Sequence, residues 1–156
     1  LLAAGKDDGL LPAGGAVVMT CRVEAGLIMG GLEFDGNTSP YGCRMGWAVD
    51  LDKGEFQGKA ALMRLKDTPR HRVVSVVIDG PEQEYSGAAL QSGGEDVGAV
   101  TMALPSFYLN GKILGLAKVA VAHAKVGTVL EVADGSAKAE IVPMPVYDPE
   151  RKRVRS

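Results

Sequence analysis

Metal and redox chemistry have little to work with in this chain. Its 156 residues include two cysteines, Cys21 and Cys43, and two histidines, His71 and His123. Zinc sites want paired short spacings such as C-x-x-C with further ligands nearby. None occurs, so the expectation is two reduced, partly buried thiols in a cytoplasmic protein. An excess of charge is missing too. Seventeen Lys and Arg against nineteen Asp and Glu leave a net −2, which gives no electrostatic reason to expect nucleic acid or an anionic membrane as partner. No apolar run approaches the roughly 20 residues that span a bilayer. The opening "LLAAGKDDGLLPAGG" has neither the charged nor the apolar region of a signal peptide. It also begins without Met, and the chain is read as a piece of something longer.

Catalytic signatures are scarce as well. There is no P-loop, and Gly30-Gly31 does not belong to a G-x-G-x-x-G fingerprint. Ser75 and Ser106 have no nucleophile elbow around them, and neither histidine stands beside an obvious nucleophile, so a triad is unsupported. The basic end "ERKRVRS" lacks aromatic interleaving and reads as a solvated terminus.

What remains is an ordinary globular composition, 46% hydrophobic and 23% charged, long enough for one good core or two small ones. Residues 14–25 place Val17, Val18, Cys21 and Ala25 at helical spacings, and Gly26 with the Gly30-Gly31 pair supplies the exit. Asn37 to Pro40 is turn chemistry. Arg44 to Leu51 alternates as a strand would around Trp47. Gln57 to Lys66 reads as a helix with Ala61, Leu62 and Leu65 inward. "KDTPRH", Lys66 to His71, marks a boundary. Beyond it come short apolar strands at 72–79, 97–102, 113–121, 128–132 and 137–142. Turns at Gly80, Gly93-Gly94, Gly111, Gly127 and Gly135 separate them, which suggests a small barrel or sandwich. The reading is α+β, with 1–68 as one segment and 69–156 as an all-β domain.

Two side chains stand out. Glu24, flanked by Val23 and Ala25, must reach water or meet a donor. One reading has it accept two N–H bonds from a planar heterocycle. The other makes it an exposed helix-end residue paired with Arg22 or Arg44. Lys53 and Lys59 could hold a carboxylate or phosphate, or could simply be solvated. Trp47, Phe107, Tyr108 and Tyr147 read as structural, with Phe107 and Tyr108 the best candidates for exposure in a turn.

The ordered set "CRVEAGL", "SPYGCRMGWAV", "LDKGEFQGKAAL", "GAVT", "VAVAHAKVGTVLEV" and "PVYDPERKR" covers nearly the whole chain. It resembles the C-terminal part of the aminomethyltransferase family, typified by the glycine-cleavage T-protein. The resemblance implies the end of a folate-binding unit of ferredoxin-like halves, followed by a small antiparallel β-barrel. It implies tetrahydrofolate as cofactor, accepting a one-carbon unit from a methylated or aminomethyl donor. A lipoyl carrier protein is a possible partner. It puts Glu24 on the pterin ring and Lys53 on the side of the folate tail. The family's assisting aspartate belongs to an N-terminal half not present here, so no residue of this chain is assigned to catalysis, and the chain alone is expected to be inactive. Gly42 stands where the family often has an acidic residue, and the turn Thr101–Gly111 departs from the usual Ser-Pro pattern. Both leave the donor open. A non-catalytic folate-binding or docking module is the alternative, as is the C-terminal region of a dimethylglycine- or sarcosine-type oxidoreductase.

Overall fold

The computed structural model describes residues 1–155. Six strands carry the fold: β1 (His71–Asp79), β2 (Ala89–Ser92), β3 (Glu95–Pro105), β4 (Ile113–Ala120), β5 (Val129–Val132) and β6 (Lys138–Val142). They close into a barrel in the order β1-β4-β3-β2-β5-β6 with every pair antiparallel. Closure pairs both edges of every strand, which removes the row of unpaired N–H and C=O groups that an open sheet exposes. The expected barrel is therefore present. β2 is the strand that sequence periodicity did not single out, being four residues between glycine-bearing turns.

The alternation of each strand divides its side chains between two cores. Inside the barrel lie Val74, Val76, Ile78, Leu90, Val100, Val119, Leu130 and Ile141, among others. On the outer face, Leu114 and Leu116 of β4 pack with Val23, Val77, Met102, Val142 and Met144. A shift of register in β3 creates part of this division. Val100 pairs with Ala117 and Met102 with Leu116. Strict period-two alternation would put Val100 and Met102 on one face. The extra residue of the bulge sends the first inward and the second outward. At Gly98 the backbone of β4 comes so close that an added Cβ would lie 2.3 Å from the Lys118 carbonyl oxygen, so only glycine fits.

Residues before the barrel lie over its outer face with little regular structure. Helix α1 (Gly15–Glu24) and helix α2 (Lys59–Leu65) are joined by turns and a single turn of 3₁₀ helix at Gly46–Ala48. A short helix α3 (Lys152–Arg155) ends the description. The strand expected over 44–51 is absent. Arg44 has φ of 64°, which breaks an extended run, and a closed barrel offers no free edge for it to join. Trp47, expected to be structural, is 80% exposed. Of the two thiols, Cys43 is buried and Cys21 is exposed. Among the described residues no helix is long and apolar enough to cross a membrane, and no group of His, Cys, Asp and Glu could hold a metal ion.

Candidate functional site

Helix α1 ends in a way that aims its last turn at the barrel. Gly26 has φ of 64°, and the Gly26 and Leu27 N–H groups donate to the Val23 and Arg22 carbonyls at 3.1 and 2.9 Å. This double bond pattern around a left-handed glycine stops the helix sharply. An added Cβ at Gly26 would meet Met144 at 2.8 Å, so the strap 143–148 passes directly beneath. The two residues before the stop, Val23 and Glu24, are thereby pressed onto β3, β4 and the strap.

Glu24 is 6% exposed, not the free helix-end residue that its sequence context allowed, and its partners are neither Arg22 nor Arg44. Its Oε1 accepts from the Ser106 hydroxyl at 2.7 Å and from the Tyr108 N–H at 2.9 Å. Ser106 Oγ in turn accepts from the Leu109 N–H at 3.0 Å, which shapes the β3–β4 turn. The Glu24 carbonyl accepts from both Val146 and Tyr147 N–H, at 3.1 and 2.9 Å. One residue thus ties the helix to two separate segments, and each brings a tyrosine. The Tyr108 and Tyr147 rings meet edge to face at 5.4 Å between centroids, a geometry that the ring quadrupoles favour. Beside them opens a cleft of about 280 Å³ lined also by Asp148, Pro149, Lys152 and Arg153. The Arg153 guanidinium lies over the Tyr147 ring at 5.7 Å. A carboxylate oxygen accepts about two bonds, so Oε1 is filled by the protein and a heterocycle would find only Oε2.

A second buried carboxylate carries no signal of its role in the sequence. Glu33 is fully buried and its Oε2 accepts from Arg22 Nη1 and the Met29 N–H, both at 2.8 Å. Its Oε1 accepts from the Thr101 hydroxyl at 2.6 Å. Arg22 also donates to the Leu27 carbonyl at 2.8 Å, and its Nη2 lies 3.1 Å from Met102 Sδ. The pair pins α1 and its following loop to the β3 bulge, while Arg22 Nε remains buried without a partner. The only hint in the sequence was a charge between Leu32 and Phe34.

Lys53 is elsewhere. It is exposed, with its ammonium 4.6 Å from the Phe56 ring centroid, and no contact joins it to Glu24. Lys59 is held by Glu55 at 3.2 Å and the Gly54 carbonyl at 2.9 Å. Phe107 and Tyr108 are exposed as expected. His71 is exposed and His123 half-buried, and neither makes a side-chain hydrogen bond among the described residues. A larger cleft of about 770 Å³ lies between the 36–42 loop and the 65–71 linker.

Comparison with known proteins follows this architecture. The sequence profile of the glycine cleavage T-protein C-terminal barrel domain matches residues 70–148. The trimethylamine-oxide aldolase of Ruegeria pomeroyi is 38% identical over 160 residues, spanning 98% of this chain and 20% of that protein. The aminomethyltransferase of Symbiobacterium thermophilum is 40% identical over 160 residues, 98% of this chain and 42% of it. The crystal structure of the glycine cleavage system aminomethyltransferase T from Bartonella henselae superposes with a TM-score of 0.74 at 24% identity. It covers 83% of this chain and 37% of that one, a likeness of fold. The chain thus spans from a fifth to about two-fifths of the relatives it matches.

Proposed function

This chain belongs to the glycine cleavage T-protein family, the match running through its C-terminal barrel, and on that footing we propose that it is the C-terminal portion of a cytoplasmic, tetrahydrofolate-dependent one-carbon transferase. In this reading the parent enzyme moves a one-carbon unit from an amine or methyl donor to tetrahydrofolate. The observation that carries it is the extent of the match. Identity to an aminomethyltransferase runs over 98% of the chain, through the Glu24 helix and the Lys53 turn as well as the barrel. Residues 1–68 would complete the folate-binding unit of ferredoxin-like halves, and 69–156 would cap it. Tetrahydrofolate would supply the nucleophilic nitrogen that takes up the carbon unit.

The chain's own residues would contribute positioning. Glu24 holds Tyr108 and Tyr147 together and has Oε2 to offer the pterin side. Two tyrosine rings give a planar ligand an apolar edge with polar tips. Lys53, with no ion pair among the described residues and on an exposed turn, would meet the carboxylates of the folate tail. No side chain here is assigned to proton transfer at the reacting nitrogen, so the chain alone is expected to be inactive. Whether the donor arrives on a lipoyl carrier is a matter for the donor assay. The Ruegeria relative favours a second reading of the donor. Its name specifies trimethylamine oxide, and 98% of this chain aligns with a fifth of it, so a methylated amine handled by a longer polypeptide is the rival to an aminomethyl group.

The test is an assay of the full encoded polypeptide with tetrahydrofolate and either an aminomethyl or a methylated-amine donor. Folate-dependent appearance of the one-carbon adduct is expected. Glu24→Gln should weaken reduced-folate affinity about tenfold, the worth of one charge-assisted hydrogen bond. A full-length protein that neither binds reduced folate nor consumes it would overturn the reading. A long dinucleotide-binding region upstream, with flavin-dependent oxidation of the amine, would move it to the oxidoreductase class.

A further inference from the structure

We propose that the larger cleft is an oxyanion-binding site, taking a phosphate- or carboxylate-bearing small molecule against Arg70, His71 and Lys118. The site shares no lining residue with the Tyr108–Tyr147 cleft, and the inference stands apart from the folate reading. Its volume of about 770 Å³ lies in the range of small-molecule sites, about 300–1,000 Å³. Strand register explains how the charges converge. His71 pairs with Ala120 and Val73 with Lys118 on β1 and β4. Directly opposed residues of an antiparallel pair share a face, so His71 and Lys118 are diagonal neighbours on the outer one. Arg70 enters from the linker just before β1.

The walls are fixed by backbone rather than by mobile side chains. The Gly42 carbonyl accepts from the Val73 N–H at 2.9 Å, and the Arg70 carbonyl from the Val121 N–H at 3.1 Å. An added Cβ at Gly42 would stand 3.0 Å from the His71 carbonyl oxygen, so loop and strand lie flush. Pro40, Leu65 and Pro69 give the cleft an apolar side, and Asn37 adds a side-chain amide at the rim.

The charge is unbalanced. No carboxylate lines the cleft, and neither Arg70 nor Lys118 makes an ion pair or side-chain hydrogen bond among the described residues. Asp35, near enough to feel Lys118 but outside the lining, has its Oδ1 committed to the Thr38 hydroxyl at 2.7 Å and the Asn37 N–H at 3.0 Å. A guanidinium fork, an ammonium and an imidazole around one opening suit an oxyanion that can accept from all three.

Amide NMR titration of the chain with inorganic phosphate, and separately with succinate, at constant ionic strength tests this. Saturable shifts confined to 36–42, 68–71 and 118 are expected. Arg70→Gln and Lys118→Gln should each weaken them about tenfold, the loss of one charge-assisted bond, while Lys138→Gln, paired with Asp79 at the opposite end of β1, changes nothing. Saturation by phosphate alone would assign a phosphate ester, and by succinate alone a carboxylate. Shifts spread evenly over exposed lysines, or an affinity that both variants leave intact, would sink the proposal. Should Lys118→Gln disturb the barrel amides, the exposed Arg70 position carries the test alone.

Discussion

The first seventy residues and the barrel are built on opposite principles. The barrel buries a continuous apolar interior behind a closed sheet, and its exposed large apolar side chains are confined to turns and to β5. In the preceding segment only Val23 and Cys43 are buried apolar residues, while Leu10, Leu11, Val17, Val18, Leu27, Trp47 and Met63 face outward. That segment has no core of its own. It is held by a buried ion pair, a buried carboxylate and a few contacts on the outer face of β4. Hydrophobic burial is non-directional and stabilises a body as a whole. A hydrogen-bonded joint sets one orientation, which is what a site assembled from two segments requires.

Breaking the joint should therefore differ in kind from breaking the core. Glu33→Ala leaves Arg22 buried without its partner, and removing one member of such a pair costs about 3–5 kcal/mol. The expected outcome is loss of amide protection in 15–34 while β1, β3 and β4 stay protected. Hydrogen exchange reads this directly, and a uniform loss across the barrel would contradict it. Leu90→Ala, in the fully buried interior, should cost about 2–5 kcal/mol. Here protection should fall in all six strands together, measured beside a denaturant midpoint. Trp47→Ser is the smallest change, within about 0.5 kcal/mol for a surface side chain, with the same unfolding midpoint as the parent chain. A shift well beyond that would show that the 44–51 turn contributes to the stability of the fold after all.

Charge on the surface follows local rules and adds little to either region. Asp35, Glu84 and Asp134 are held below the usual carboxylate range mainly by hydroxyl groups two or three residues on: Thr38, Ser86 and Ser136. The turns at Asp35 and Asp134 are short Asx-type turns and that at Glu84 is their longer-armed counterpart, and their solvent exposure keeps their worth small.

Much of this protein was legible in its amino acids. Apolar runs at 72–79 and 113–121 and period-two alternation at 137–142 announced strands, and glycine placed the turns between them, because a strand buried on both faces reads as a continuous apolar run and a half-buried one alternates. The ordered set of short segments pointed to the family. Helical spacing before Gly26 likewise located α1. Other features came from partners distant in the chain. The 44–51 segment alternates like a strand, yet a closed barrel has no edge to pair with it, and Trp47 is left in water. The bulge at Thr101 decides which side of the sheet Met102 faces. Glu24 could be read as a ligand contact or, from pattern alone, as a solvated helix end. Ser106 and Tyr108, more than eighty residues away, supply its donors in the fold. Alternation is a property of neighbours and can be read along the chain. The burial of a charge depends on what folds over it, and only the tertiary structure decided that for Glu24, Glu33 and Arg22.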